Sequence, residues 1–205
     1  MHFRDTLSKE PRIKLTKSLL VSSRIPEDLW LCDIDNIPSN LPFKSTLQSF
    51  INNIHLSEKE GQSLYLQGPY GSGKSGTAVA IIKHVLVRGG RSIFVASVEL
   101  DSIFGKANDF KLKNDILNTH FLILDDLGAE KPIPWSPPWI EQIIKLRNNK
   151  KLPTIITSND SFIDTCTRIQ SITSILGSKY QLIELKGIDW RLDPPTLQKH
   201  REFKI

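Results

Sequence analysis

The chain has 205 residues, is 39% hydrophobic and carries a formal net charge of +5, which suits one α/β domain with a packed core and a small appendage. No apolar run approaches the roughly 18 uncharged residues of a membrane span, and Cys32 and Cys166 stand far apart with no CxxC, which argues against a disulfide framework or a zinc site. A cytoplasmic location without membrane contact is therefore expected, and the basic excess is compatible with a nucleic-acid partner.

Taken in chain order, residues 1–24 hold Arg4, Lys9, Arg12, Lys14, Lys17 and Arg24, with a weak helical pattern from Ile13 to Leu20. They read as a basic arm, either a short partner-binding helix or a disordered tail. The Pro- and Asn-punctuated "IPEDLW" and "DIDNIPSNLPF" suggest an extended entry to the domain. Leu47, Phe50, Ile51 and Ile54 then recur at helical spacing within Lys44–Leu56.

From Leu64 onward, short apolar runs alternate with helical segments. The runs are "SLYLQ", "SIFVAS" at 92–97, "FLIL" at 121–124, "TIITS" at 154–158 and "QLIEL" at 181–185. Each is bounded by turn residues, as strands covered on both faces should be. Helices are predicted near 74–88, 109–118, 138–149 and 161–176, with Pro137 and Pro138 suited to starting the third. At the end of that third helix and just past it, "KLRNNKK" gathers Lys145, Arg147, Lys150 and Lys151, either a solvated face or a second basic contact surface. The alternation predicts an α/β fold with a mainly parallel five-stranded sheet and helices on both faces.

The first strand leads directly into Gly68-Pro69-Tyr70-Gly71-Ser72-Gly73-Lys74-Ser75-Gly76, which matches the phosphate-loop pattern G-x-x-x-x-G-K-[ST] at every fixed position. Glycines let the backbone wrap closely so that its N–H groups point at phosphate oxygens, and the following helix adds its positive end. Lys74 is expected to neutralise the β- and γ-phosphates, and the Ser75 hydroxyl to bind Mg²⁺. The "FLILDD" strand supplies acidic partners at its carboxyl end, where ligands sit in open α/β sheets. Asp125 is expected to hold Mg²⁺ directly or through water, and Asp126 to orient or deprotonate an attacking water. "TIITSND" ends in Ser158 and Asn159, and the Asn159 amide is placed to reach the γ-phosphate or that water.

These motifs in this order, "ILDDLGAEK", "LPTIITSN", "IELKG" and a closing "GIDWR" at 187–191, resemble the AAA+ ATPases of the DnaC/DnaI helicase-loader and IstB transposition-helper family. The resemblance covers roughly residues 25–191. It implies a P-loop NTPase core of AAA+ type over 25–191, a tail over 192–205 and little or no C-terminal lid. It also implies ATP and Mg²⁺ as cofactors, with Asn159 as the sensor residue. Relatives carry an arginine finger that completes a neighbour's site. Here "TRIQSITSILGSKY" offers only Arg168, with Ile172 or Ser174 where a second arginine would stand, so weak hydrolysis is expected.

The resemblance further implies a DnaB-type replicative helicase and single-stranded DNA as partners, and possible homo-oligomers. Family loaders touch single-stranded DNA between the second and third strands. That places Lys106, Lys111 and Lys113 as phosphate contacts, with Phe104 and Phe110 either stacking on bases or packing in the core. The leading reading is an ATP-dependent helicase loader. The alternatives are an IstB-like transposition helper and a helicase adaptor or inhibitor that binds nucleotide with little hydrolysis.

Overall fold

The computed structural model describes residues 7–105, 110–128 and 138–186. In chain order its elements are α1 (Lys17–Ser22), α2 (Pro42–Asn52), α3 (Ile54–Glu60), β1 (Ser63–Gln67), α4 (Lys74–Val87), β2 (Ser92–Ala96), α5 (Leu100–Gly105), α6 (Phe110–Asn118), β3 (Phe121–Leu127), α7 (Pro138–Asn149), β4 (Thr154–Ser158), α8 (Phe162–Arg168), α9 (Thr173–Lys179) and β5 (Tyr180–Glu184). The strands form one sheet in the order β2-β3-β4-β1-β5, and every pairing is parallel. Parallel neighbours need long crossovers, which the intervening helices supply.

Side chains alternate along β1 to β4 between two cores, as the two-residue period of a pleated strand requires, while the edge strand β5 buries Ile183 and leaves Leu182 exposed. Leu64, Leu66, Phe94, Phe121, Ile123 and Ile155 join α2 and α4 on one face. Tyr65, Ile93, Val95, Leu122, Leu124 and Ile156 join α5, α6, α7 and α9 on the other. Burying each such aliphatic or aromatic side chain contributes about 1.5–3 kcal/mol of transfer free energy. The expected α/β architecture, five-stranded and parallel, is therefore present.

Three predicted elements differ in detail. The helix expected over Lys44–Leu56 is two helices, divided at Asn53, whose φ of −105° and ψ of 17° depart from helical values and whose amide donates to Ser49 O. The helix expected over 161–176 breaks at Ile169 (φ −119°, ψ 69°), where Ile169 and Ile172 both turn into the core. Strand β3 continues beyond Leu124 through both aspartates to Leu127.

Two basic stretches also behave differently from solvated charge. The described part of the N-terminal segment lies along the domain: Arg12 N and Ile13 N donate to Val87 O at 2.7 and 3.1 Å, and Phe94 N donates to Ser23 O at 2.9 Å. Leu7 and Leu20 from this segment belong to the α4-side core. In "KLRNNKK", Arg147 is fully buried. Its guanidinium donates to Ile116 O (2.8 Å), Thr119 O (3.2 Å), Pro153 O (2.7 Å) and Thr154 Oγ1 (3.0 Å), tying α7 to the ends of α6 and β4. It is a structural arginine, which removes it from any surface cluster. The tail over 192–205 and the "GIDWR" stretch lie outside the described residues.

Candidate nucleotide-binding site

The carboxyl ends of β1, β3 and β4 meet where the phosphate loop turns into α4. Gly73, the residue before α4, has φ 83°, a left-handed conformation that glycine takes without a Cβ clash. Gly68 is required for a different reason: a Cβ there would lie 2.4 Å from Leu185 O and 2.8 Å from Ser72 Oγ. The end of β5 thus passes directly over the loop, held by Leu185 N donating to Gln67 O at 2.8 Å.

Lys74 opens α4 with its side chain mostly buried, and its ammonium donates at 2.9 Å to each of Gly68 O, Pro69 O and Asn159 Oδ1. The next residue, Ser75, donates to Asp125 Oδ2 at 3.1 Å. Asn159 also donates through Nδ2 to Asp126 Oδ1 at 2.8 Å. The five residues predicted for this chemistry, Lys74, Ser75, Asp125, Asp126 and Asn159, therefore converge in one hydrogen-bonded set. Tyr70 stands at the rim of the loop, 68% exposed.

Consecutive residues of a regular strand point to opposite faces, which leaves the joint engagement of Asp125 and Asp126 to be explained. The β3–β4 register runs from Leu124 opposite Ile156 to Leu127 opposite Ser158, so both aspartates face Thr157 alone. This is a bulge, and bulges re-aim side chains near functional sites. Asp126 takes φ 54°, a conformation Asp tolerates better than most residues. Its N–H donates to Thr157 Oγ1 at 2.9 Å, and Ser97 Oγ donates to its carbonyl at 2.8 Å. Thr157 Oγ1 in turn donates to Asp125 Oδ1 at 2.6 Å.

Burial raises the Asp125 carboxyl above its ordinary value. Hydrogen bonds from Thr157 and Ser75 and the charge of Lys74 act in the opposite direction. A buried carboxylate beside a serine hydroxyl, with hard oxygens only, is a donor set suited to Mg²⁺. The buried Ser72 Oγ, inside the loop, has no hydrogen-bond partner among the described residues, consistent with a cradle built for a further group.

Other predicted residues are placed as follows. The Arg168 guanidinium lies 3.2 Å from Asp160 Oδ2 of its own chain, directly after Asn159. Ile172 is fully buried and Ser174 exposed, so only the second offers a surface position. Lys106 lies outside the described residues. Lys111 is exposed on α6, while Lys113 donates to Phe104 O at 3.2 Å and sits 5.9 Å from the Phe110 ring. Phe104 stacks on Trp139 at 5.3 Å, whereas Phe110 is 77% exposed.

Sequence reading missed Thr157, Ser97 and Gln67, whose side-chain oxygen accepts from Phe162 N at 2.8 Å and fixes the start of α8. The available signal for Thr157 was a hydroxyl between the apolar pair Ile155-Ile156 and the candidate residues Ser158 and Asn159.

A parallel sheet ordered 2-3-4-1-5, with a phosphate loop after β1 and acidic and amide groups at the ends of β3 and β4, defines the AAA+ ATPase fold, a nucleotide-binding class. No protein-family model matches the chain. The replicative helicase loader DnaC of Escherichia coli K12 is 24% identical over 123 residues, 57% of this chain and 47% of the relative, so the chain spans about half the length of the curated relatives it matches. The crystal structure of a DnaC helicase loader superposes with a TM-score of 0.67 at 27% identity, covering 78% of this chain and 100% of that one. The crystal structure of DnaI gives 0.68 at 24% identity, covering 80% and 93%. By sequence and fold the chain is a distant homologue of the DnaC/DnaI-like AAA+ helicase loaders.

Proposed function

We propose that this protein binds ATP and Mg²⁺ and uses nucleotide state to time the delivery of a DnaB-type replicative helicase onto single-stranded DNA. The observation that carries this reading is the convergence of Lys74, Ser75, Asp125, Asp126 and Asn159 at the phosphate loop of a loader-like fold. Lys74 is the charge that meets the β- and γ-phosphates, aided by the positive end of α4. Ser75 and Asp125 would hold Mg²⁺, which when bound neutralises charge on the phosphate oxygens. Asp126 orients or deprotonates the attacking water, and Asn159, already bonded to both Lys74 and Asp126, couples phosphate recognition to that group.

Hydrolysis is slow in this reading. Arg168 is engaged by Asp160, and the exposed alternative is Ser174, which carries no charge. A finger arginine in trans is worth about 10³-fold or more in rate. The same observation favours a second reading, a nucleotide-binding helicase adaptor that does not cycle. On α6, the exposed Phe110 beside Lys111 and Lys113 supports a single-strand contact of modest size.

The test is a loading assay on circular single-stranded DNA with a DnaB-type helicase. ATP should promote loading by the wild-type chain and not by Lys74→Ala. Equal loading by both would refute the proposal. Loading without measurable ATP turnover would select the adaptor reading.

A further inference from the structure

The hydroxyl of Thr157 occupies the one place in β4 where a single atom serves both acidic residues of the site. It donates to Asp125 Oδ1 at 2.6 Å and accepts from Asp126 N at 2.9 Å, filling the gap that the β3–β4 bulge opens in the backbone ladder. The second oxygen of Asp125 is engaged by Ser75 Oγ at 3.1 Å. Thus one carboxylate oxygen is tied to the helix that starts at the phosphate loop, and the other to the strand that ends in Asn159.

A hydroxyl bonded to a carboxylate fixes the carboxylate's rotation and satisfies an oxygen that burial has taken from water. Without this bond the Asp125 carboxylate is held through Ser75 alone, and its rotation about the Cβ–Cγ axis is no longer fixed from both sides. Valine at position 157 keeps the shape and removes the bond, while serine keeps the bond and removes a methyl group.

We propose that Thr157 is a positioning residue: it orients the Asp125 carboxylate for a divalent cation bound with nucleotide, and acts on the cation only through Asp125. This rests on the assignment of Asp125 as the cation's carboxylate. Thr157 is buried to 1% exposure, so it makes no contact of its own with solvent or a large ligand.

The experiment compares wild type, Thr157→Val, Thr157→Ser and Asp125→Asn. Affinity for a fluorescent ATP analogue is measured in Mg²⁺ and in EDTA, and Mn²⁺ binding in the presence of ATP by electron paramagnetic resonance. In wild type, Mg²⁺ should tighten nucleotide binding. Thr157→Val should weaken Mn²⁺ binding about tenfold or more, the usual range for a hydrogen-bond partner behind a metal ligand. Its nucleotide affinity in EDTA should stay at the wild-type level. Thr157→Ser should restore Mn²⁺ affinity, and Thr157→Val should add nothing in an Asp125→Asn background.

Several results would overturn the inference. They are wild-type Mn²⁺ affinity in Thr157→Val, an equal loss in Mg²⁺ and EDTA that marks general disruption, or a serine variant as impaired as valine. A wild-type protein indifferent to Mg²⁺ and Mn²⁺ would instead overturn the underlying assignment of Asp125 and this inference with it. If Thr157→Val does not fold, Thr157→Ala, which removes the same hydroxyl, takes its place beside Thr157→Ser and in the Asp125→Asn background, with the same results expected and the same results overturning the inference.

Discussion

Arg147 carries its charge into the interior and there meets three backbone carbonyls and the Thr154 hydroxyl. Truncating it strands these acceptors, and a buried acceptor left unmade costs about 1–3 kcal/mol. Arg147→Met is therefore expected to lower unfolding free energy by about 3 kcal/mol or more in a urea titration, and Arg147→Lys to recover only part of it, since an ammonium cannot reproduce the planar fork. Nearby, burial pushes the Tyr180 hydroxyl up to about 12 from an ordinary value of 10.0. Between those two pH values the unfolded chain has lost the proton that the folded chain keeps, so stability falls as pH rises from about 10 to about 12. Tyr180→Phe should flatten that fall, as measured by urea unfolding at successive alkaline pH values. At the phosphate loop, Lys74→Ala is expected to reduce ATP affinity by at least about tenfold, the scale of a charge-assisted bond. Arg147 also marks a limit of sequence reading. Composition registers its charge, whereas its partners arrive from α6 and β4, through contacts more than twenty residues away for Ile116 and Thr119.

At the scale of the element, strands were legible because each is a short apolar run between turn residues, and β1 and β4 match the expected bounds at 63–67 and 154–158. Strand β3 was only half legible. Its second half is held by the Thr157 and Ser97 hydroxyls, side-chain bonds that no hydrophobic period reports. The broken helix at 162–179 has a similar cause, since the burial of Ile169 and Ile172 outweighs continuation of the helical ladder. The two phenylalanines left open between core and surface part ways: Phe104 of α5 packs on Trp139, and Phe110 of α6 stands in solvent. If α6 meets single-stranded DNA, Phe110→Ala should weaken binding by about 1–3 kcal/mol, the usual contribution of one stacked base. Lys111→Ala should reduce the slope of log affinity against log salt by about 0.7. Fluorescence anisotropy with an oligonucleotide at several salt concentrations measures both, and an unchanged affinity and slope would remove α6 from the interface.

For the whole molecule, the sheet order brings β1, β3 and β4 together at the centre, so residues from positions 74, 125, 126 and 159 meet although the chain separates them widely. The motif residues were legible one by one, and their convergence follows from a parallel topology that the strand–helix alternation already required. The N-terminal segment shows the reverse. Its charges suggested a basic arm, either a short partner-binding helix or a disordered tail, and gave no sign that Leu7, Leu20 and the backbone bonds to Val87 and Phe94 fasten its described residues to the domain. The central claim concerns a partner, and the most direct measurement is molar mass by light scattering on a mixture of this protein with a DnaB-type helicase, with and without ATP. A defined complex that changes with ATP, and that loses this response in Lys74→Ala, is the predicted result. The absence of any complex under every nucleotide condition would contradict the account.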